Sequence, residues 1–248
     1  MRLKYLVSLG CFLFFAFGWT GCEKMDSNYQ QYLNEYDYSG KISNLRCYLG
    51  YERIILAWDN PIDQKSKTIL VEYDDGKQQK EYDSLVDSVS IDGLTSGSGY
   101  SFTVYTLDNV GNRSVPVSIT ALPVSKAFVE SLDAPTCSMV QTKDGSYGIR
   151  WNNLSSILMR FAGTIKYEIK GADGFVKSGV EEVEIYDTDK EGNKVLKEVS
   201  DFTLPVEGLQ KGIEYTVNFT VPVWPISGKI VTVDTIELSG EAKVKMNK

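Results

Sequence analysis

Residues 89–115, VSIDGLTSGSGYSFTVYTLDNVGNRSV, decide how this chain folds. Val89 and Ile91 alternate with serine and aspartate, the period-2 rhythm of a strand that turns one face to a core. Gly93, Gly97 and Gly99 interrupt it. A second alternating run follows, in which Phe102 and Val104 share one face and Tyr105 takes the other. Leu94, Gly97 and Tyr100 stand at three-residue intervals on the step between the runs. A tyrosine in that position of a β-sandwich buries its ring and ties its hydroxyl to the backbone a few residues upstream. Asp108-Asn109-Val110-Gly111-Asn112 then supplies the residue types of a tight turn. The stretch predicts two strands joined by a corner, with a loop before the next strand.

Working outward, Arg53-Ile54-Ile55-Leu56-Ala57-Trp58 puts Ile54, Leu56 and Trp58 on one face, and TILVEY (68–73) is a further apolar run. The same grammar returns in the second half. Tyr147-Gly148-Ile149-Arg150-Trp151 matches the tryptophan strand, and TIKYEIKGADG (164–174) matches the third strand. Leu209, Gly212 and Tyr215 repeat the corner, with TVNFTV after it. Residues 180–199, VEEVEIYDTDKEGNKVLKEV, have no counterpart in the first half and read as a long hairpin turning at Glu191-Gly192-Asn193. No segment keeps a helical period, although residues 124–132 can form a short helix between the halves. The expected fold is all-β: two tandem sandwiches, residues 39–123 and 124–248, the second with an inserted hairpin. One larger sandwich is the alternative.

Each half resembles a fibronectin type III domain. The resemblance rests on Trp58 in the second strand, on Leu94, Gly97 and Tyr100 at the corner, and on Asp108 to Ser114 as the loop before the last strand. It implies immunoglobulin-like sandwiches in which Trp58 and Trp151 are core residues.

The N-terminus reads as an export signal. Arg2 and Lys4 precede an apolar run from Leu6 to Phe17, shorter than the roughly 20 residues a membrane-spanning helix needs. Trp19-Thr20-Gly21-Cys22 resembles the lipobox of bacterial lipoproteins. That resemblance implies a signal peptide of residues 1–21 and acylation of Cys22, which would begin the mature chain. An ordinary secretory signal is the alternative. Multiple acyl chains hold a protein at a membrane because each buried methylene contributes about 0.8 kcal/mol. Residues 22–38, polar and carrying Tyr29, Tyr32, Tyr36 and Tyr38, read as a tether whose tyrosines pack on the first sandwich.

CEKMD after the signal, YLGYERIILAWDNP (48–61) and SFTVYTLDNVGNRSVPV (101–117) resemble a family of Bacteroidetes lipoproteins of unassigned function. The likeness runs from the signal to about Val124. Such proteins resemble accessory components of cell-surface glycan-utilisation systems. This implies a lipid-anchored place on the outer membrane, on its outer or its periplasmic face, and partners that are either glycans or outer-membrane proteins. It carries over no catalytic residue.

Composition narrows the chemistry. A net charge of -7 argues against nucleic acid, which is held by clustered lysine and arginine. The absence of histidine removes the Ser-His-Asp and Cys-His schemes and the commonest zinc ligand. Of four cysteines, Cys11 leaves with the signal and Cys22 takes lipid, so Cys47 and Cys137 remain, in different halves. They are expected to be buried free thiols, because a disulfide would have to cross between sandwiches.

Two local features suggest sites. Asp187, Asp189, Glu191 and Glu198, with Gly192 between them, have the spacing of a calcium-binding EF-hand loop. Their flanks read as strands, so the competing reading is a charged hairpin tip. Trp224, in VPVWPISG, is either a platform for a sugar ring or a core or interface tryptophan. Nothing in the sequence singles out a catalytic carboxylate pair. The expected function is a non-catalytic lipoprotein that presents a binding surface, with a structural or adhesive spacer as the alternative. Loops on rigid scaffolds carry such function, here Asp108 to Ser114 and the Asp187 to Glu198 hairpin.

Overall fold

The computed structural model describes residues 39–246. The signal peptide, Cys22 and the tether tyrosines lie outside the described residues. From Ser39 onward the chain forms one compact unit with two apolar cores.

The first core lies within seven strands: β1 (Ser43–Leu49), β2 (Arg53–Asp59), β3 (Thr68–Tyr73), β4 (Gln78–Tyr82), β5 (Ser88–Asp92), β6 (Tyr100–Leu107) and β7 (Val117–Ala121). They form two antiparallel sheets, β1-β2-β5 and β4-β3-β6-β7. This three-plus-four order is that of a fibronectin type III-like sandwich. The alternation read in β2 is the cause of its burial: Ile54, Leu56 and Trp58 all point inward and are buried. Trp58 keeps its indole N–H satisfied by donating to Asn60 Oδ1 at 3.1 Å. Asn60 in turn donates to the carbonyls of Leu85 and Val86.

A five-residue helix, α1 (Lys126–Glu130), capped by the hydroxyl of Ser125, stands between the cores. The second sandwich follows with β8 (Thr136–Gln141), β9 (Tyr147–Asn152), β10 (Met159–Phe161), β11 (Thr164–Gly171), β12 (Val176–Glu182), β13 (Tyr186–Thr188), β14 (Lys194–Leu196), β15 (Asp201–Pro205), β16 (Glu214–Ser227), β17 (Ile230–Val231) and β18 (Ile236–Lys245). One sheet is β15-β9-β8; in the other, β16 is flanked by β11 and β18, and β12 lies outside β11. The fourteen-residue β16 outruns β11, and β10 takes over beside it. The handover falls at Ala162-Gly163, opposite Pro222, which has no N–H to offer a ladder. The Pro222 carbonyl still accepts from Ala162 N at 2.9 Å.

Both corners form as the spacing predicts. Tyr100 Oη accepts from Ser96 N at 3.0 Å, and Tyr215 Oη accepts from Gln210 N at 2.8 Å. Trp151 is fully buried between Tyr167 and Phe202. The inserted hairpin is shorter than expected. Val180-Glu181-Glu182 pair with β11 as the end of β12, and only Tyr186 to Leu196 fold back on themselves.

One loop geometry recurs at residues 108–112, 142–146, 171–175 and 189–193. In each, the fourth residue is a glycine at positive φ (83, 86, 85 and 87°) whose N–H bonds the first residue's carbonyl. This is the three-residue hairpin loop, a turn followed by one left-handed residue.

Candidate binding surfaces

The segment between β1 and β2 is where the two sandwiches meet. Asp234, in the loop between β17 and β18, accepts from Arg53 Nε at 2.8 Å and from the Arg53 guanidinium again at 2.5 Å. The same carboxylate accepts from Tyr51 N at 2.9 Å. Val233 N donates to Leu49 O at 2.8 Å, and Val124, in the linker, exchanges backbone bonds with Gly50 and Glu52. Gly50 is needed for this approach, since a Cβ there would fall 2.4 Å from Asp234 Oδ2. The Arg53 bonds hold the Asp234 carboxyl below the usual carboxylate range, and the same contact pushes Arg53 up.

The opposite end of the first sandwich is pinned as well. Gly40 N donates to Asp63 Oδ2 at 2.9 Å, and Gly40 O accepts from the hydroxyls of Thr106 at 2.6 Å and Ser66 at 3.3 Å. The chain therefore enters the first sandwich through a buried polar knot.

A hollow of about 490 Å³ opens at the turn between β3 and β4, lined by Tyr73, Asp74, Asp75, Asp92, Ser98 and Tyr100 among others. Its walls are carboxylates, hydroxyls and two aromatic rings. The outer face of β12, β11, β16 and β18 is shallower and carries the Lys166–Glu237 ion pair.

Of the four residues with calcium-loop spacing, Asp187 belongs to β13 and Asp189 to the loop that follows. The Asp189 carboxylate accepts from Asn193 N at 2.7 Å, Asn193 Nδ2 at 3.1 Å and Glu191 N at 3.0 Å, which hold it below the usual carboxylate range. Asp108 makes the same bonds to Asn112 and Val110 in the first sandwich. Glu198 pairs with Arg160 at 2.7 Å. The structure thus spends Asp189 on a turn and Glu198 on a cation, and the four are not brought together. Among the described residues no group of three or more acidic or thiol side chains is placed to hold a metal. Residues 189–193 form an Asp-x-x-Gly-Asn hairpin loop, which shares its aspartate and glycine with a calcium loop.

Trp224 sits on β16 opposite Arg160, half-buried and packed on the second core. The β13–β14 hairpin is open: Tyr186, Val195 and Leu196 are 43%, 42% and 38% exposed. Cys47 and Cys137 are both free. They are half-buried rather than buried, each on the first strand of its sandwich. Burial pushes the Cys137 thiol up to about 12, with the Trp151 indole opposing, so it is a poor nucleophile near neutrality. The carboxyls of Asp63, Asp108, Asp144, Asp189 and Asp234 are all held low, the reverse of a general acid.

Sequence reasoning missed the Arg53–Asp234 contact. Its partners are 181 residues apart, and Asp234 lies in a run, VTVDTIEL, that reads as one strand. The isolated bridge from Tyr51 to Val124 was equally silent.

A family model described as DUF4998, a domain of unknown function, matches residues 22–199. It begins at Cys22 and runs well past Val124, the limit of the resemblance read in the sequence, into the second sandwich. No curated protein matches the chain. Among solved structures, a two-domain fibronectin type III segment of chicken tenascin is 17% identical, with 82% of this chain and 99% of that one covered, at a TM-score of 0.33. The chicken interferon gamma receptor alpha chain is 11% identical, with 84% and 99% covered, at 0.32. The strand order, rather than these low scores, carries the fold.

Proposed function

The chain belongs to the DUF4998 family, a domain of unknown function, and we propose that it is a non-catalytic lipoprotein of the outer membrane that presents a protein-binding surface. Cys22 carries the lipid, residues 22–38 are the tether, and the chain faces outward from the cell. The observation that carries the reading is the β13–β14 hairpin. It forms a separate two-stranded sheet and leaves Tyr186 and Leu196, directly paired on one face, partly exposed to solvent, with Val195 on the other face. Its sandwich is clamped to the first by Arg53 and Asp234, and the first is pinned at Gly40 where the tether arrives. The hairpin is thus carried on two sandwiches joined by that contact. Apolar groups exposed together mark contact sites for other proteins.

The anchoring half of the proposal is tested by Cys22→Ser, which is expected to release the chain from the membrane fraction and abolish acyl labelling. The binding half is tested by cross-linking on whole cells with Tyr186→Ser/Leu196→Ser beside the native chain. Loss of a specific cross-linked partner is expected; an unchanged pattern sinks the hairpin reading.

A second reading is a glycan ligand in a cell-surface uptake system. The hollow beside β3 favours it, because carboxylates and hydroxyls next to Tyr73 and Tyr100 are the groups that bind and stack on sugars. A glycan array with residues 39–248 separates the two. Binding lost in Asp92→Asn supports the hollow, binding lost in Trp224→Ala moves the site to β16, and no binding leaves the protein partner.

A further inference from the structure

β12, whose sequence is VKSGVEE, is the last strand of its sheet and pairs with β11 alone. Backbone bonds at its two ends, Gly171 N to Phe175 O and Val183 N to Gly163 O, set its alternation. Lys177, Gly179 and Glu181 turn their N–H and C=O groups to β11. Val176, Ser178, Val180 and Glu182 turn theirs to the open edge. An open edge is a template for another strand, and proteins commonly blunt it with charge. The matching edge of the first sandwich follows that rule: β4 reads Gln-Gln-Lys-Glu-Tyr and is exposed along its first four residues. β12 does not. It exposes Val176 (64%) and Val180 (61%) around a central glycine.

We propose that this edge pairs with β12 of a second copy of the chain, antiparallel about a two-fold axis through Gly179. The charge order selects that occupant. Lys177-Ser178-Gly179-Val180-Glu181 is complementary to itself when reversed about the glycine, so Lys177 of each copy stands opposite Glu181 of the other. Opposite charges directly across a strand pair are favourable, and like charges are not. On the other face, Val180 lies opposite Ser178 and diagonal to Val180 of the second copy, which covers apolar surface that the single chain leaves bare. The hydrogen-bonding register agrees: Ser178 and Val180, and Val176 and Glu182, meet as bonded pairs, and Gly179 meets Gly179 in the closely spaced non-bonded pair. The glycine is already required, because a Cβ at 179 would fall 2.8 Å from Tyr167 Oη. Bare backbone therefore faces the axis. The result is one continuous sheet across both copies, with β12 against β12 at its centre.

Sedimentation of residues 39–248, which contain both complete cores, tests this. A reversible dimer is expected as concentration rises from micromolar to millimolar. Lys177→Glu and Glu181→Lys are each expected to weaken it by at least about tenfold, since each sets like charges opposite one another twice in the dimer. The double variant, and an equal mixture of the two single variants, should restore it, because both recover complementary pairs. Ser178→Pro removes a donor from the open edge and leaves the β11 ladder whole, so it should abolish dimerisation without lowering the melting temperature. A chain that stays monomeric at millimolar concentration overturns the proposal. So does a dimer that the single variants do not weaken, or one that the mixture fails to restore while every variant melts like the native chain.

Discussion

The two sandwiches are built from one grammar, yet the second carries additions that the first lacks. The first closes with an eight-residue β6 between β3 and β7. The second stretches the equivalent strand to fourteen residues, splits its neighbour into β10 and β11, and inserts a hairpin. The core pattern is nevertheless the same: a buried tryptophan on the second strand and a tyrosine corner before the long strand. The core therefore tolerates extension where the added length of β16 finds strands to pair with. β10 and β17 pair with the far end of β16 for that purpose, while β18 runs along its first ten residues as β7 does along β6. One addition reaches the first sandwich, since Val233 and Asp234 lie on the loop that follows β17.

The largest effects should come from the two tryptophans. Trp58→Ala and Trp151→Ala each remove a buried indole and should cost about 4 kcal/mol. Because the cores are separate, thermal unfolding followed by calorimetry should show each variant lowering the transition of its own sandwich first. If either variant lowers both sandwiches together by the same amount, they are one cooperative unit and the comparison breaks.

Next is the junction. Asp234→Ala leaves Arg53 and Tyr51 N without their acceptor and should cost about 2 kcal/mol. Small-angle scattering should then show a wider spread of interdomain angles. Low pH should act in the same direction. The Asp234 carboxyl is depressed in the folded chain by Arg53. Its contribution is therefore present above the unfolded value, about 3.9, and is lost as pH falls through the lower folded value. Scattering at falling pH should show loosening below about pH 4 in the native chain, and a smaller change in Asp234→Ala.

The recurrent loop sharpens the contrast between the sandwiches. Gly111→Ala and Gly192→Ala both force alanine to positive φ, at a local cost of about 1–2 kcal/mol. The first loop joins β6 to β7 in a core sheet, whereas the second closes a hairpin that stands by itself. Gly111→Ala should lower the melting temperature. Gly192→Ala should only speed amide exchange in residues 186–196, and an equal loss of melting temperature would mean that the hairpin belongs to the core.

The smallest effect is at the corners. Tyr100→Phe and Tyr215→Phe each remove one acceptor for a backbone N–H, at about 1 kcal/mol. Denaturant titration should find the larger loss at Tyr215, which is fully buried where Tyr100 is half-exposed.

Much of this was legible before any coordinates. Period-2 alternation is a local signal, and it placed Ile54, Leu56, Trp58, Phe102 and Val104 in the first core and Trp151 in the second. The Leu-x-x-Gly-x-x-Tyr spacing is also local, because the corner hydrogen bond spans four residues at Tyr100 and five at Tyr215. The hairpin turn was found, but its length was overestimated, since nothing in VEEVEIY marks where β12 stops pairing with β11. Aspartate and glycine at the calcium-loop intervals also serve a tight turn, and sequence does not record which atoms the carboxylate accepts from.

Fold class, repeat and both corners follow from the order of neighbouring residues along each strand. The meeting of Asp234 with Arg53, the edge left open and the half-buried row that Trp224 joins emerge only when the chain has folded. Those outcomes depend on groups far apart in the chain being brought within hydrogen-bonding distance, and no local period encodes that approach.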